Sequence, residues 1–131
     1  FPISELQTTQ FGSELDHRET SIASKRLDSL SLFGDLVTPI LLKIDVQGAE
    51  LKVLAGAASV MANIDAVYVE CSFQELYTGQ PLVNELIAML HGNGFALSGV
   101  FNQAVDQNGR GLQADFLFLR SETALNISGA T

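Results

Sequence analysis

Three carboxylates carry the chemistry this sequence could perform. Asp45 and Glu50 fall within LLKIDVQGAELKVLAGA, Leu41 to Ala57, and Glu70 lies near the end of DAVYVECS, Asp65 to Ser72. Carboxylates held close together raise one another's pKa, bind a cation, or accept hydrogen bonds from a substrate hydroxyl or amine. Each also has a plainer use: a strand-end Asp forms turns or caps helices, and a Glu in a first helical turn complements the helix dipole. Lys43, two residues before Asp45, would share its strand face, either pairing with a carboxylate or laying its stem over apolar neighbours. Gly48 lets the chain turn tightly or lets a ligand approach its backbone. Other chemistries have little to build on. The single cysteine, Cys71, excludes an intrachain disulfide and a multi-cysteine zinc site, and neither His17 nor His91 stands in a ligand-spaced motif. Cys71 reads as inert core, and His91 as a solvated or dipole-complementing residue near a helix end.

The elements that must position these groups are legible from periodicity. Ile40 to Val46 is nearly continuously apolar, as in a strand covered on both faces. From Ala49 the period becomes helical, with Leu51, Leu54, Ala58 and Met61 on one face and a turn of about two residues between strand and helix. Asp65 to Ser72 alternates as a second strand. If these two strands are neighbours, about 4.8 Å apart, Asp45 and Glu70 meet at the rim of the sheet. That rim, beyond the carboxyl ends of parallel strands, is where open α/β sheets bind ligands. Pro81 opens a helical pattern through Leu82, Leu86, Met89 and Leu90 that ends at Gly92 to Gly94. A hairpin follows: Phe95 to Asn102, a polar turn from Asp106 to Gly111, and Asp115 to Arg120. Upstream, Asp28 is placed to cap a short helix through Leu30, Leu32, Phe33 and Leu36, closed by Pro39. Residues 1–25 read as irregular, with a short strand near Thr20 to Ser24, and residues 121–131 as a frayed tail. The expected fold is α/β, a mostly parallel sheet with a C-terminal antiparallel hairpin.

Bulk properties narrow the partners. The 131 residues, 47% hydrophobic and 17% charged, suffice for one domain. Fifteen acidic against seven basic residues give a net charge of -8, with no basic cluster, which disfavours nucleic acid and anionic membrane surfaces. No apolar run reaches the roughly 18 residues of a membrane span, and the first ten residues lack signal-peptide character. With the cysteine content, this predicts a soluble, cytoplasmic, metal-poor protein; the sequon at Asn126 stands alone and is discounted. The chain opens on Phe1, with Met61 and Met89 its only methionines, so it is expected to be part of a longer translation product.

Four sequence pieces carry a family resemblance. Lys43-Ile44-Asp45-Val46-Gln47-Gly48-Ala49-Glu50, followed by Val53-Leu54-Ala55-Gly56-Ala57, resembles the central motif of the FkbM-type methyltransferases, a branch of the class I S-adenosylmethionine-dependent enzymes. Arg26-Leu27-Asp28-Ser29-Leu30, Val69-Glu70-Cys71-Ser72-Phe73 with Glu75-Leu76-Tyr77, and Gln113-Ala114-Asp115-Phe116-Leu117-Phe118 agree in the same order, so the resemblance spans residues 26–120. It implies the carboxyl-terminal part of a Rossmann-like class I domain, with the Ile40 strand fourth of seven, the Asp65 strand fifth and the hairpin sixth and seventh. It implies S-adenosylmethionine as cofactor and O-methyl transfer to a small-molecule or sugar hydroxyl, with Asp45 and Glu70 orienting or deprotonating the acceptor and Glu50 supporting the turn.

The glycine-rich turn after strand one and the acidic residue ending strand two, which hold the cofactor in such enzymes, have no counterpart before residue 39. A truncated domain lacking that half would leave one edge of the Ile40 strand bare. Such an edge invites pairing, by residues 1–25 or by a second copy in a homodimer. The rival reading is a non-catalytic dimerising interaction module of the same fold. A carboxylate-pair hydrolase is a third, weakened by the lack of any accompanying nucleophile motif.

Overall fold

Alternation of apolar residues in the second half of the chain dictates most of the architecture. The computed structural model describes residues 19–121. Strand β1 is Leu41–Ile44, helix α1 Glu50–Gly56, strand β2 Ala66–Ser72, helix α2 Val83–Gly92, strand β3 Phe95–Val105 and strand β4 Gly111–Arg120. They form one four-stranded sheet in the order β1-β2-β4-β3. β1 lies parallel to β2, with Leu41 beside Ala66 and Ile44 beside Val69. The Asp65 carboxylate fixes this register from below: its Oδ2 accepts the Ile40 N–H at 2.7 Å while its own N–H donates to the Ile40 carbonyl at 2.9 Å.

One face of the sheet is packed and the other open. Val67 and Val69 of β2 and Phe116 and Phe118 of β4 stand side by side on the packed face and are buried against Leu54 of α1 and Leu86 and Leu90 of α2. Burying each such side chain contributes roughly 1.5–3 kcal/mol relative to leaving it exposed. The alternate residues, Tyr68 and Glu70 of β2 and Asp115 and Leu117 of β4, line the opposite face. Arg120 closes the lower end, stacked 4.5 Å over the Phe95 ring and donating to the carbonyls of Ile64 (2.9 Å) and Met61.

Several expectations change. The described sheet is mixed, not mostly parallel: one pairing of three is parallel, because the hairpin contributes β4 to the centre of the sheet and β3 to its edge. The hairpin strands are also longer than expected, since Asp106 holds the connecting turn tightly, its Oδ1 accepting the N–H groups of Asn108 (2.8 Å) and Arg110 (2.9 Å), and Gly109 takes φ +77°. The helix expected after Asp28 is two 3-10 turns, Leu27–Ser29 and Ser31–Gly34, interrupted where Leu30 is extended. Asp28 caps neither: its carboxylate accepts from the Arg26 guanidinium at 2.8 and 3.0 Å and from the Ser59 N–H, strapping this segment to the α1 side. No strand forms over Thr20 to Ser24. Helix α2 starts at Val83 and not at Pro81, because Leu82 stays extended and bridges Ser72. Most of the segment 1–25 and of the tail 121–131 lies outside the described residues. Among those described, no helix is long and apolar enough to cross a membrane.

Candidate active site

β1 ends at Ile44, so the next residue, Asp45, leaves the sheet at its rim, exposed, one step beyond the Ile44–Val69 pair. The parallel register therefore carries Asp45 alongside Glu70, as the spacing of the two strands predicts. Glu70 is partly buried. Desolvation raises its pKa from the ordinary carboxylate value, and the charges of Asp45, Asp115 and Glu50 push it further; Lys43 offsets part of this. Two of the candidates, Asp45 and Glu50, thus act electrostatically on the third, Glu70.

Glu50 has a distinct position. It is 3% exposed, and its Oε1 accepts the Gly48 N–H at 2.8 Å. That bond closes the turn between β1 and α1, where Gln47 (φ +51°) and Gly48 (φ +110°) are both left-handed. Only glycine reaches the Gly48 conformation without strain. The second oxygen, Oε2, is buried without a hydrogen-bond partner. An unpaired oxygen there costs about 1–3 kcal/mol or more.

Two further residues belong to this neighbourhood, both within the motif pieces but not among the expected site residues. Asp115 of β4 pairs directly with Glu70 across the sheet and accepts hydrogen bonds on Oδ2 from the Tyr68 hydroxyl (3.0 Å) and the Asn102 amide (2.7 Å). Tyr77, in the loop after β2, has its phenol raised by burial first and then by Glu70, Glu50 and Asp45. Its loop is stapled by Gln80, 7% exposed, whose Oε1 accepts the N–H groups of Leu76 (2.6 Å) and Tyr77 (2.9 Å) while its Nε2 donates to the Ser72 hydroxyl at 2.9 Å. Period-two alternation along β4 is the signal that could have placed Asp115 on the carboxylate face. Nothing local marks Tyr77, because the folded loop brings it in. A cleft of about 320 Å³ separates the Gly48 turn from this loop at Gly79, Gln80 and Pro81. Another of about 680 Å³, between residues 24–30 and α1, is lined by none of the three expected carboxylates.

Cys71 faces the packed side; burial, assisted by Glu50, Glu70 and Asp115, pushes its thiol up to about 12, so it stays protonated and inert. His91 is exposed in the last turn of α2. Among the described residues, no group of three His, Cys, Asp or Glu side chains is placed to hold a metal ion.

Comparison with known proteins agrees with the motif pieces. The family model described as the methyltransferase FkbM domain matches residues 2–97. The chain is 32% identical over 104 residues to the 2-O-methyltransferase NoeI of Sinorhizobium fredii (strain NBRC 101917 / NGR234), a match covering 79% of this chain and 40% of that protein. The chain thus spans well under half the length of that relative. No solved structure matches. A four-stranded α/β sheet with both helices on one face is compatible with a methyltransferase-like fold. With a family model matched over most of its length, the chain belongs to the FkbM methyltransferase family.

Proposed function

We propose that this chain carries the acceptor side of an S-adenosylmethionine-dependent O-methyl transfer, with a hydroxyl of a small molecule or sugar as the group methylated. The observation that supports it best is the meeting of exposed Asp45 with Glu70, a partly buried carboxylate whose pKa is raised by burial and like charges. In this reading Glu70 accepts the hydrogen bond of the acceptor hydroxyl and takes its proton, and Asp45 fixes the hydroxyl's direction. Glu50 holds the turn from which Asp45 projects. The name of the matched relative, a 2-O-methyltransferase, favours a hydroxyl as acceptor.

The family implies S-adenosylmethionine as methyl donor. The described residues do not fit it as a complete cradle: the glycine turn at the rim, Gln47–Gly48, has its Gly48 amide engaged by Glu50 and not facing a ligand. In this reading Asp45 and Glu70 act on the acceptor, and Glu50 acts on the turn. The rival, a dimerising module in the cytoplasm without catalysis, draws on the outer edge of β1, which pairs with no described strand and leaves Leu41 60% exposed.

Methyl transfer from labelled S-adenosylmethionine to a panel of glycosides, with S-adenosylhomocysteine titrated by calorimetry, separates the two readings. Transfer that falls about 100-fold in kcat/KM in a folded Glu70→Gln variant, and also falls in Asp45→Asn, supports the acceptor site. Absence of both transfer and S-adenosylhomocysteine binding, with a dimer in light scattering, would favour the scaffold.

A further inference from the structure

An acceptor site is defined by what it refuses as well as by what it binds, and the charges around Glu70 bear on that. Asp45, Glu50 and Asp115 all act on Glu70, with Lys43 opposing them. Asp115 already has donors in Tyr68 and Asn102. Glu50 is half supplied: one oxygen accepts the Gly48 N–H, and the other is buried with no partner. The cluster therefore holds more acceptors than donors, with an orphaned oxygen among them. A ligand bringing hydroxyl or ammonium hydrogens to exposed Asp45 and partly buried Glu70 supplies donors there, whereas a ligand bringing a carboxylate or phosphate adds acceptors and like charge.

We infer that the Asp45, Glu50 and Glu70 rim selects its acceptor by charge, taking a neutral polyol or an amino sugar and refusing one with a carboxylate or phosphate beside the reacting hydroxyl. This deepens the acceptor reading above and rests on it. Overall charge points the same way, since a net charge of -8 repels anionic ligands before they reach the rim.

The test uses the whole chain and three probes that share one ring: methyl β-D-glucopyranoside, methyl β-D-glucosaminide and methyl β-D-glucuronide, titrated by ligand-observed saturation-transfer NMR. The neutral and amino glycosides should bind saturably and the glucuronide at least tenfold more weakly. In Asp45→Asn, whose side chain is exposed and whose fold is not at risk, and separately in Glu70→Gln, the difference should shrink to within about threefold. Equal binding of glucoside and glucuronide would overturn charge selection while leaving an acceptor site in place. No binding of any probe by folded protein would remove the acceptor site itself, and selectivity unmoved by both variants would place the discrimination elsewhere.

Discussion

Replacing Glu50 by Gln should make this protein more stable. Glutamine has nearly the same shape, so its carbonyl oxygen can keep the Gly48 N–H, at 2.8 Å in the native turn. That bond weakens as it loses its charge, from roughly 1.5–3 to about 0.5–1.5 kcal/mol. Against this loss stands the other oxygen, buried and unpartnered. Removing a charged orphan recovers about 1–3 kcal/mol or more, and the amide that replaces it donates hydrogens where donors are lacking. The net expectation is a gain of about 1 kcal/mol, or a rise in Tm of roughly 3–5 °C for a chain of this size. Urea denaturation at pH 7 followed by circular dichroism measures it directly. Glu50→Ala supplies the contrast, since it leaves the Gly48 N–H without its acceptor and empties a buried site; it should be at least about 2 kcal/mol less stable than the Gln variant. A Gln variant less stable than the native chain would refute the reasoning, and would mean that Glu50 is held by its charge.

Two other outcomes follow from the same rim. Gln80→Leu removes the acceptor of two backbone N–H groups and the donor to Ser72, so stability should fall by about 2–4 kcal/mol in the same assay, with faster hydrogen exchange at Leu76 and Tyr77. Glu70 keeps its proton to higher pH in the folded chain than at its ordinary value of 4.5, so stability should decline as pH rises from 4.5 through the folded value. Glu70→Gln should flatten that limb of the curve by less than about 1 kcal/mol, because solvent screens a partly exposed group.

The sequence made the strands and their order legible because β2 and β4 each bury one face, so their alternation is clean. The meeting of Asp45 with Glu70 followed from two strand ends and one assumption, that the strands are neighbours, which the parallel register satisfies. The segment after Asp28 was harder. Its apolar spacing suits a helix, but the Asp28 carboxylate prefers Arg26 and Ser59, contacts a local pattern does not reveal. The described sheet is mixed because β1 with β2 is its one parallel pairing while β4 pairs antiparallel with both β2 and β3; the hairpin strands themselves run through Val105 and from Gly111, beyond where alternation marks them. Tyr77 was invisible as a site neighbour because its place depends on Gln80, a buried polar residue in a loop otherwise rich in turn formers.

The central position of β4 has a consequence for how the chain acquires its shape. β2 is flanked by β1 and by β4, yet β4 is the last of the four strands to be made. At synthesis rates of roughly 5–20 residues per second, the 48 residues from Ser72 to Arg120 take about 2–10 s to appear. Throughout that interval the nascent chain holds Val67 and Val69 beside an unpaired strand edge, with Phe116 and Phe118 not yet available to cover them. The Arg120 contacts to Met61 and Ile64 link residues 59 and 56 positions apart, so closing the sheet also requires a distant loop to be drawn in. Folding of this sheet is therefore gated by the arrival of β4, and the newborn chain is most vulnerable to aggregation just before that strand emerges.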